Sequence, residues 1–287
     1  MSDLFPNLPD DPDAVPVRPA ATVMLLRDGV AGLEVCLMQR NLQSDFVGGA
    51  YVFPGGGLDP EDATAEIYER CAGRTDADAS LLLDLPDGGL AYWVAAVRES
   101  FEEAGVLLAV DAAGAPVAFD DAEVRTRFEQ HRRTVDAGER SLLDVLRDED
   151  LAVDVTALHY FSRWITPLGA PRRYDTRFFV AAAPEWQEVS HDDRELIGTY
   201  WMSPQEALDR SAAGEFTLIF PTIRSLVALT RFDDSAAVLD HAAGLAEVPA
   251  VLPTIRESPD GLRIVLPGDP DHPGGMYDAM TGRPVES

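Results

Sequence analysis

The sequence contains no lysine, so all 23 of its basic residues are arginine. They are outnumbered by 50 aspartate and glutamate residues, which gives a formal net charge of −27 at pH 7. Proteins that coat nucleic acids neutralise phosphates with basic patches, so this charge balance excludes that class. A small phosphate-bearing substrate is not excluded, because carboxylates can hold divalent cations that in turn bind phosphates. The absence of lysine also excludes a Walker-type phosphate loop, which needs one.

Cysteine and long apolar runs are also scarce. The only cysteines are Cys36 and Cys71, which lack metal-ligand spacing and are too few for a disulfide framework. We therefore expect two reduced thiols and a cytoplasmic protein. No apolar run reaches 18 residues, so no membrane span is expected. Residues 1–19 are rich in Asp and Pro and lack the basic and apolar regions of a signal peptide.

Two common kinds of hydrolase site are missing as well. His159, His191 and His241 have no Cys or His neighbours at ligand spacing, so zinc chemistry is not expected. There is no Gly-x-Ser-x-Gly elbow, which argues against an acyl hydrolase of that type. Other residue types must therefore carry any hydrolytic chemistry.

Changes in composition divide the chain into three parts. Residues 1–19 are expected to be flexible, and residues 240–287 form a Pro- and Gly-rich C-terminal extension with one predicted strand at Leu262–Leu266. Residues 20–239 are predicted to form one domain, with an irregular stretch at 63–91 that contains two short helical patterns. Strands and helices mix there without a regular βαβ repeat, which favours an α+β fold with a mixed sheet flanked by helices.

The hydrophobic patterns and turn residues also place the individual elements. A turn at Asp28-Gly29 predicts a hairpin between the first two strands, and Ser203 and Pro204 are typical of a helix start. The predicted strands are Ala21–Leu26, Leu33–Met38, Tyr51–Phe53, Ala157–Thr166, Tyr174–Ala183 and Gly198–Met202. The predicted helices are Leu90–Ala104, Asp120–Val135, Glu139–Leu146, Ser203–Ala212 and Pro221–Arg231.

The helix at Leu90–Ala104 is the most informative segment. Successive helical residues are about 100° apart, so Glu99, Glu102 and Glu103 share one face, opposite an apolar face. Like charges on adjacent turns destabilise a helix by a few tenths of a kcal/mol, whereas a divalent cation would make the cluster favourable. The alternative is a solvated acidic face on which Arg98 pairs with Glu102.

A glycine-rich turn precedes this helix. Gly55, Gly56 and Gly57 follow the short strand at Tyr51–Phe53, and consecutive glycines allow a ligand to approach the backbone closely. By themselves they would indicate only a flexible turn.

Together these residues resemble the Nudix box, in which a Gly, five residues, a Glu and seven residues precede Arg-Glu-apolar-any-Glu-Glu-any-Gly-apolar. The residues Arg98-Glu99-Ser100-Phe101-Glu102-Glu103-Ala104-Gly105-Val106 match its second half, and Gly56 matches its opening glycine. The sequence departs from the box in two places. Ser100 stands at an apolar position, and the first acidic position is Asp62, some 35 residues before Arg98 instead of seven.

This split box is similar to the branch of the Nudix family that includes the peroxisomal coenzyme A diphosphatase. The resemblance covers roughly residues 20–232 and implies a Nudix-type α/β/α sandwich. The other matching stretches are Phe53–Asp59, Trp164–Pro167, Arg172–Phe179 and Trp201–Pro204.

The resemblance implies an Mg²⁺- or Mn²⁺-dependent hydrolase that cleaves a diphosphate linkage in a nucleotide-like substrate, with coenzyme A or acyl-CoA expected. Glu99, Glu102 and Glu103 are then the metal-ligand and catalytic candidates. Glu195 is the candidate general base, because family members often draw that group from a later loop; otherwise it is a surface residue in a charged run. We expect Arg98 to orient the box by ion pairing and Gly105 to end the helix; both roles are structural.

Arginine suits phosphate binding because its guanidinium makes bidentate contacts. Alternatively, Arg177 pairs with Asp175 on the same strand. The candidates for substrate binding are Arg40, Gly56, Arg172, Arg173 and Arg177.

Two other functions remain open. One is a Nudix hydrolase for ADP-ribose, NAD(H) or a dinucleotide polyphosphate, since Gln39–Ala50 does not match the coenzyme A loop of the branch cleanly. The other is a non-catalytic nucleotide sensor on the same fold, which a depleted glutamate set would favour, although this helix keeps all three. A homodimer is expected only because many Nudix enzymes are dimers.

Overall fold

The computed structural model describes residues 14–43, 48–192, 194–266, 268–269, 272, 274–279 and 281–285. Its strands are β1 (Val17–Gly29), β2 (Gly32–Arg40), β3 (Ala50–Val52), β4 (Gly55–Gly57), β5 (Cys71–Ala72), β6 (Ala109–Val110), β7 (Ala152–Asp154), β8 (His159–Ile165), β9 (Arg173–Ala182), β10 (Leu196–Met202), β11 (Thr217–Leu218), β12 (Ala250–Val251), β13 (Thr254–Ser258), β14 (Gly261–Val265) and β15 (Met276–Asp278). Its helices are α1 (Ala65–Tyr68), α2 (Asp76–Leu83), α3 (Leu90–Ala104), α4 (Ala122–Asp136), α5 (Leu142–Asp148), α6 (Pro204–Ala212), α7 (Phe220–Leu229) and α8 (Ser235–Ala243).

The main sheet is mixed, with the strand order β11-β3-β2-β1-β9-β8-β12, while β10 also pairs with β2 and β4 pairs with β1. Strand β1 is parallel to β9 along most of its length, from Val17 to Leu26. Its second half pairs with β2 in the predicted hairpin. The first half is therefore free on that side, and the glycine strand β4 pairs there with residues 20–22.

The two faces of β1 pack into two separate cores, because successive side chains of a strand point to opposite faces. Ala21, Val23 and Leu25 pack with residues of α3, while Met24 and Leu26 pack with residues of α7 and α8. Helices thus cover both faces of the sheet. This arrangement confirms the predicted α+β fold, a Nudix-type α/β/α sandwich with a mixed sheet.

Helix α3 has the predicted bounds, and both of its ends are capped. At its start, the Asp76 carboxylate accepts hydrogen bonds from the backbone N–H of Gly88 (3.0 Å) and Leu90 (2.9 Å). At its end, Gly105 adopts a left-handed conformation (φ 70°), and its N–H donates to the Phe101 carbonyl at 3.1 Å. The predicted insertion at 63–91 therefore supplies the N-terminal cap, and Gly105 ends the helix as expected.

The C-terminal part is more structured than the sequence indicated. Besides the predicted strand, now β14, it contains β13 and β15, which complete a three-stranded antiparallel sheet. Helix α8 crosses the predicted boundary at residue 240. The added strands have only three to five residues, which is too short for a clear periodic pattern. Tyr277 of β15 is fully buried, with its ring 5.4 Å from that of Phe220, and joins this sheet to the domain.

The ends and surface of the chain add three smaller findings. Residues 1–13 of the predicted flexible segment lie outside the described residues, whereas residues 17–19 belong to β1. Cys36 and Cys71 are free thiols, as expected. In the described part of the chain, no helix is long and apolar enough to cross a membrane.

Candidate active site

A cavity of about 560 Å³ lies where β4 meets α3 and continues across β1, β9 and β8. Its lining changes in character from one side to the other. The side near α3, here called the acidic end, is lined by Glu99, Glu102, Glu103, Asp136, Asp192 and Glu195. The far side, here called the apolar end, is lined by Trp164, Phe178, Phe220, Ile255, Leu262 and Ile264.

The glycine strand β4 lies directly against the carboxylates of α3. The Gly55 N–H donates to Glu103 Oε2 at 2.8 Å. A Cβ atom on Gly56 would overlap the carboxylate of Glu99, so a larger residue would force that side chain to shift. Glycine at this position lets the backbone of β4 lie directly against the carboxylates of α3.

Arg98 joins the two separated parts of the box. Its Nε and Nη2 atoms donate to the two carboxylate oxygens of Asp62, both at 3.0 Å, and Nη2 also donates to the Gly57 carbonyl at 2.8 Å. Its Nη1 atom donates to Glu99 Oε1 at 2.8 Å and to Glu102 Oε2 at 3.2 Å. The Arg98–Glu102 pair considered as an alternative is thus present, but within a buried network and not on a wet surface.

Burial raises the pKa of Glu99, Glu102 and Glu103. It raises the pKa of Glu102 to about 7, against the opposing charge of Arg98. It also raises the pKa of Glu99, and it raises that of Glu103 well above the usual range, with the Glu99 charge adding to the shift. The acidic end therefore has more negative charge than its own arginine neutralises.

The donor set fits a hard divalent cation in its chemistry, since carboxylate oxygens are the ligands that Mg²⁺ prefers. Within the described ranges, no three His, Cys, Asp or Glu side chains already converge as a metal cluster. A cation held by these carboxylates would take part of its coordination shell from water, which Mg²⁺ usually keeps.

Glu195 lies beside these glutamates although it is distant in sequence. It lines the cavity while remaining exposed to solvent. Its carbonyl accepts a hydrogen bond from the Asn41 N–H at 2.8 Å, at the place where Leu196 pairs with Arg40. The Asp192 carboxylate accepts the N–H groups of Glu195 (3.3 Å) and Leu196 (2.9 Å), which fixes the backbone of this turn.

Two of the four predicted substrate arginines line the cavity. Arg40 ends β2 next to the acidic end, and its charge lowers the pKa of Glu103. Its buried Nε atom has no hydrogen-bond partner among the described residues. Arg172 lines the cavity just before β9.

The other two, Arg173 and Arg177, do not line the cavity, so their expected contact with substrate is corrected. The alternate residues of β9, Tyr174, Thr176 and Phe178, line the cavity, so the residues between them face away. Arg173 donates to the Thr166 carbonyl at 3.1 Å. Arg177 is 1% exposed, pairs with Asp175 at 2.7 Å and lies 4.5 Å from the Tyr92 ring centroid. The alternative in which Arg177 pairs with Asp175 is confirmed.

Three further residues shape the acidic end and were not predicted. Asp136 and Asp192 line it, and Arg132 holds its two sides together. The Arg132 guanidinium donates to the carbonyls of Glu102 (2.9 Å), Glu103 (2.7 Å) and Ser190 (2.9 Å). Arg132 comes from α4, whose sequence shows an ordinary charged surface pattern, so no local signal marks it.

Comparisons with known proteins agree with this geometry. The sequence model of the NUDT19 Nudix domain family matches residues 70–229. The chain is 30% identical to the human acyl-coenzyme A diphosphatase NUDT19 over 83% of its own length and 72% of that protein. It is 26% identical to the chicken protein of the same name, over 85% and 74% of the two chains.

A solved structure supports the fold independently. The crystal structure of a Nudix hydrolase from Alicyclobacillus acidocaldarius superposes with a TM-score of 0.65 at 28% identity, over 79% of this chain and 97% of that one. The family match spans more than half of the sequence, and the human relative is covered over more than two thirds of its length. The chain therefore belongs to the Nudix hydrolase family, in the group described by the NUDT19 Nudix domain.

Proposed function

We propose that the protein hydrolyses the diphosphate of coenzyme A or acyl-CoA, in a reaction that depends on Mg²⁺ or Mn²⁺. The observation that carries the proposal is that Glu99, Glu102, Glu103 and Glu195 all line one cavity beside the glycine strand β4. The substrate class follows from the similar human and chicken proteins, which are named acyl-coenzyme A diphosphatases.

Glu99, Glu102 and Glu103 would hold the cation. Their raised pKa values support this role, because buried carboxylates without enough positive charge nearby favour a bound cation. When bound, the ion neutralises charge on the diphosphate oxygens and makes water more acidic. Arg98 keeps the glutamates in position through Asp62 and the Gly57 carbonyl, and it does not line the cavity.

Glu195 is the proposed general base. Its exposed carboxylate lies at the acidic end, where it can accept a proton from an attacking water molecule. The water oxygen bonds to one phosphorus, and the bond from that phosphorus to the bridging oxygen breaks. The bridging oxygen leaves with the second phosphate, so coenzyme A yields adenosine 3′,5′-bisphosphate and phosphopantetheine.

Arg40, Arg172 and the backbone at Gly56 would bind the phosphate groups. Arg40 is best placed, because it borders the acidic end and has a buried Nε atom to donate. A guanidinium there can bind phosphate oxygens through charge-assisted hydrogen bonds. Gly56 lets the substrate approach the carboxylates without a side chain between them.

The test is an Mg²⁺-dependent hydrolysis screen with products identified by mass. Coenzyme A, acyl-CoA, ADP-ribose, NAD(H), dinucleotide polyphosphates and nucleoside triphosphates should be offered in parallel. We expect release of adenosine 3′,5′-bisphosphate from coenzyme A or its esters. Selective cleavage of another diphosphate would overturn the substrate, and no cleavage with either Mg²⁺ or Mn²⁺ would replace the enzyme with a ligand sensor.

The role of Glu195 has its own test. Glu195→Gln should lower kcat by about 10²–10⁴-fold with little change in KM, and it should remove the acidic limb of the pH–rate profile. Glu188→Gln, at an exposed position outside the cavity, is the matched control and should behave as wild type. A Glu195→Gln enzyme with wild-type kcat and pH profile would assign the base to another group.

A further inference from the structure

The C-terminal extension forms one wall of the cavity. Strands β13 and β14 pair as a hairpin in which Ile255 lies opposite Ile264, and Glu257 lies opposite Leu262. These positions share one face of the hairpin. Ile255, Leu262 and Ile264 all line the cavity and are half-buried. The hairpin lies beyond residue 229, where the match to the family model ends.

This wall is fixed to the main domain. Tyr277 of β15 is fully buried, and its hydroxyl donates to Asp269 Oδ2 at 2.6 Å. The same carboxylate oxygen accepts a hydrogen bond from Arg224 of α7 at 3.2 Å. The hairpin is thus held against α7 by a buried ring and an ion pair, and its apolar face has a defined position.

The opposite wall of the apolar end consists of aromatic side chains. Trp164 of β8 and Phe220 of α7 pack edge to face, with ring centroids 6.0 Å apart. Phe178 of β9 lies nearby on the same face of the sheet. Among the residues that the structure describes, no acidic side chain lines this end, so the two ends of the cavity are suited to ligand parts of opposite character.

The sheet register gives the distance between the two ends. Across the sheet, Gly57 of β4 pairs with Ala20 of β1, which pairs with Thr176 of β9, which pairs with Trp164 of β8. Neighbouring strands are about 4.8 Å apart, so the glycine strand and Trp164 are separated by roughly 14 Å. That is about the length of four extended residues. A ligand that touches both ends must therefore be long, with a charged head and an apolar tail.

We propose that the apolar end binds the acyl chain of an acyl-CoA substrate and that the β13–β14 hairpin determines which chain lengths are accepted. The inference rests on the proposed function, because it places the diphosphate of the same molecule at the acidic end. The threonine hydroxyls of Thr22 and Thr176 line the cavity between the two ends and can bond to the polar arm that joins diphosphate to acyl group.

Binding without turnover is the first test. Dissociation constants should be measured by calorimetry on protein loaded with Ca²⁺ in place of Mg²⁺, for coenzyme A and its butanoyl, hexanoyl and octanoyl esters. Affinity should increase with chain length, by up to about fourfold for each methylene buried, which corresponds to about 0.8 kcal/mol. Equal dissociation constants for coenzyme A and all three esters, or no binding of the esters, would overturn the inference.

Variants of the wall make the test specific. Leu262→Trp should fill the apolar end, so the octanoyl ester should bind no more tightly than coenzyme A, whose affinity should not change. The matched control is Arg256→Trp, because Arg256 is exposed, does not line the cavity and lies on the other face of the hairpin. If Leu262→Trp does not fold, Leu262→Ala should still lower the preference for octanoyl ester over coenzyme A by several-fold. An unchanged preference would overturn the inference.

The same ligands separate this inference from the proposed function. Hydrolysis of coenzyme A without any dependence of binding on chain length would leave the function intact and reject the acyl site. Tighter binding of longer esters, removed by Leu262→Trp, in a protein that cleaves none of them would support the acyl site and reject the function.

Discussion

The two ends of the cavity are built in opposite ways. The acidic end takes half of its six acidic side chains from α3, and Arg98 pairs with two of these, Glu99 and Glu102. The apolar end collects side chains from segments as far apart as Trp164 and Ile264. Among the described residues, acidic side chains are concentrated at the first end and do not line the second. The difference fits the proposal that the first end holds a cation and that the second offers an apolar surface.

The largest effect on activity is expected when charge is removed from the acidic end. Glu102→Gln and Glu103→Gln should each lower kcat by about 10²–10⁴-fold, because metal ligation and charge on the diphosphate are both disturbed. Both proteins should fold, and without metal the Glu102→Gln protein should be at least as stable as wild type at pH 8, since a repelling charge is gone. Steady-state kinetics and urea unfolding measure these effects.

Glu66→Gln is the control for these variants, because Glu66 is exposed and lies outside the cavity. Near-wild-type turnover of both Glu102→Gln and Glu103→Gln would mean that α3 does not carry the chemistry.

Removing Arg98 should have the next largest effect, which is a lower free energy of unfolding. The side chains of Arg98 and Asp62 are 9% and 2% exposed, so Arg98→Met leaves a buried carboxylate without a partner. We expect the free energy of unfolding to fall by about 3–5 kcal/mol, measured by urea denaturation at pH 7. In the double variant with Asp62→Asn, the total loss should be smaller than the sum of the two single losses. Additive losses would show that the pair does not act as a unit.

A smaller loss of activity is expected from adding a single methyl group to the glycine strand β4. Gly56→Ala places a methyl group against Glu99, and a shift of about 1 Å in a catalytic group costs roughly 100-fold in rate. Gly57→Ala is the matched control, because a Cβ there meets nothing closer than the Pro19 carbonyl oxygen at 3.9 Å. Comparison of kcat for the two variants measures the effect. Equal activity would indicate that the contact at position 56 relaxes freely.

The smallest expected effect is on the pH dependence of metal-free protein. Glu102 and Glu103 have raised pKa values when folded, so the folded state binds more protons than the unfolded state above about pH 4.5. The free energy of unfolding should therefore fall as pH rises from about 4.5 through 7. Mg²⁺ favours the ionised carboxylates, so its binding at pH 7 should release on the order of one proton.

Urea unfolding at pH 5.5 and 8, with and without Mg²⁺, checks the stability change, and calorimetry in buffers of different ionisation enthalpy counts the protons. Stabilisation by Mg²⁺ should be larger at pH 8. In the Glu102→Gln protein, the free energy of unfolding should fall less between pH 5.5 and 8. A fall as steep as in wild type would mean that other groups cause the pH dependence.

The same contrast explains what the sequence could predict. The bounds of α3 and the shared face of its three glutamates follow from helical periodicity, which is a local property. The split box also led to the correct family and to Arg98 as a structural residue. The contact between Glu195 and the acidic end needed the pairing of β10 with β2, which no local pattern specifies.

The arginines of β9 show the limit most clearly. Alternation along the predicted strand places Asp175 and Arg177 on one face, and this much was visible in the sequence, whereas Arg173 precedes the strand predicted at Tyr174–Ala183. Which face borders the cavity depends on how β9 lies beside β1 and on where α3 packs. A cluster of arginines at the start of a predicted strand suggested phosphate contacts, whereas Arg177 instead pairs with Asp175 beneath α3.

The ion pair between Asp62 and Arg98 has a consequence for how the split box could have arisen. The pair holds together the two residues that flank the intervening segment, whatever the length of that segment. Closing a loop five times longer costs only about 1.4 kcal/mol more, less than the roughly 3–5 kcal/mol lost when one partner of a buried ion pair is removed. The segment within the box can therefore lengthen at little cost in stability. In this chain it contains Asp76, whose carboxylate caps the start of α3.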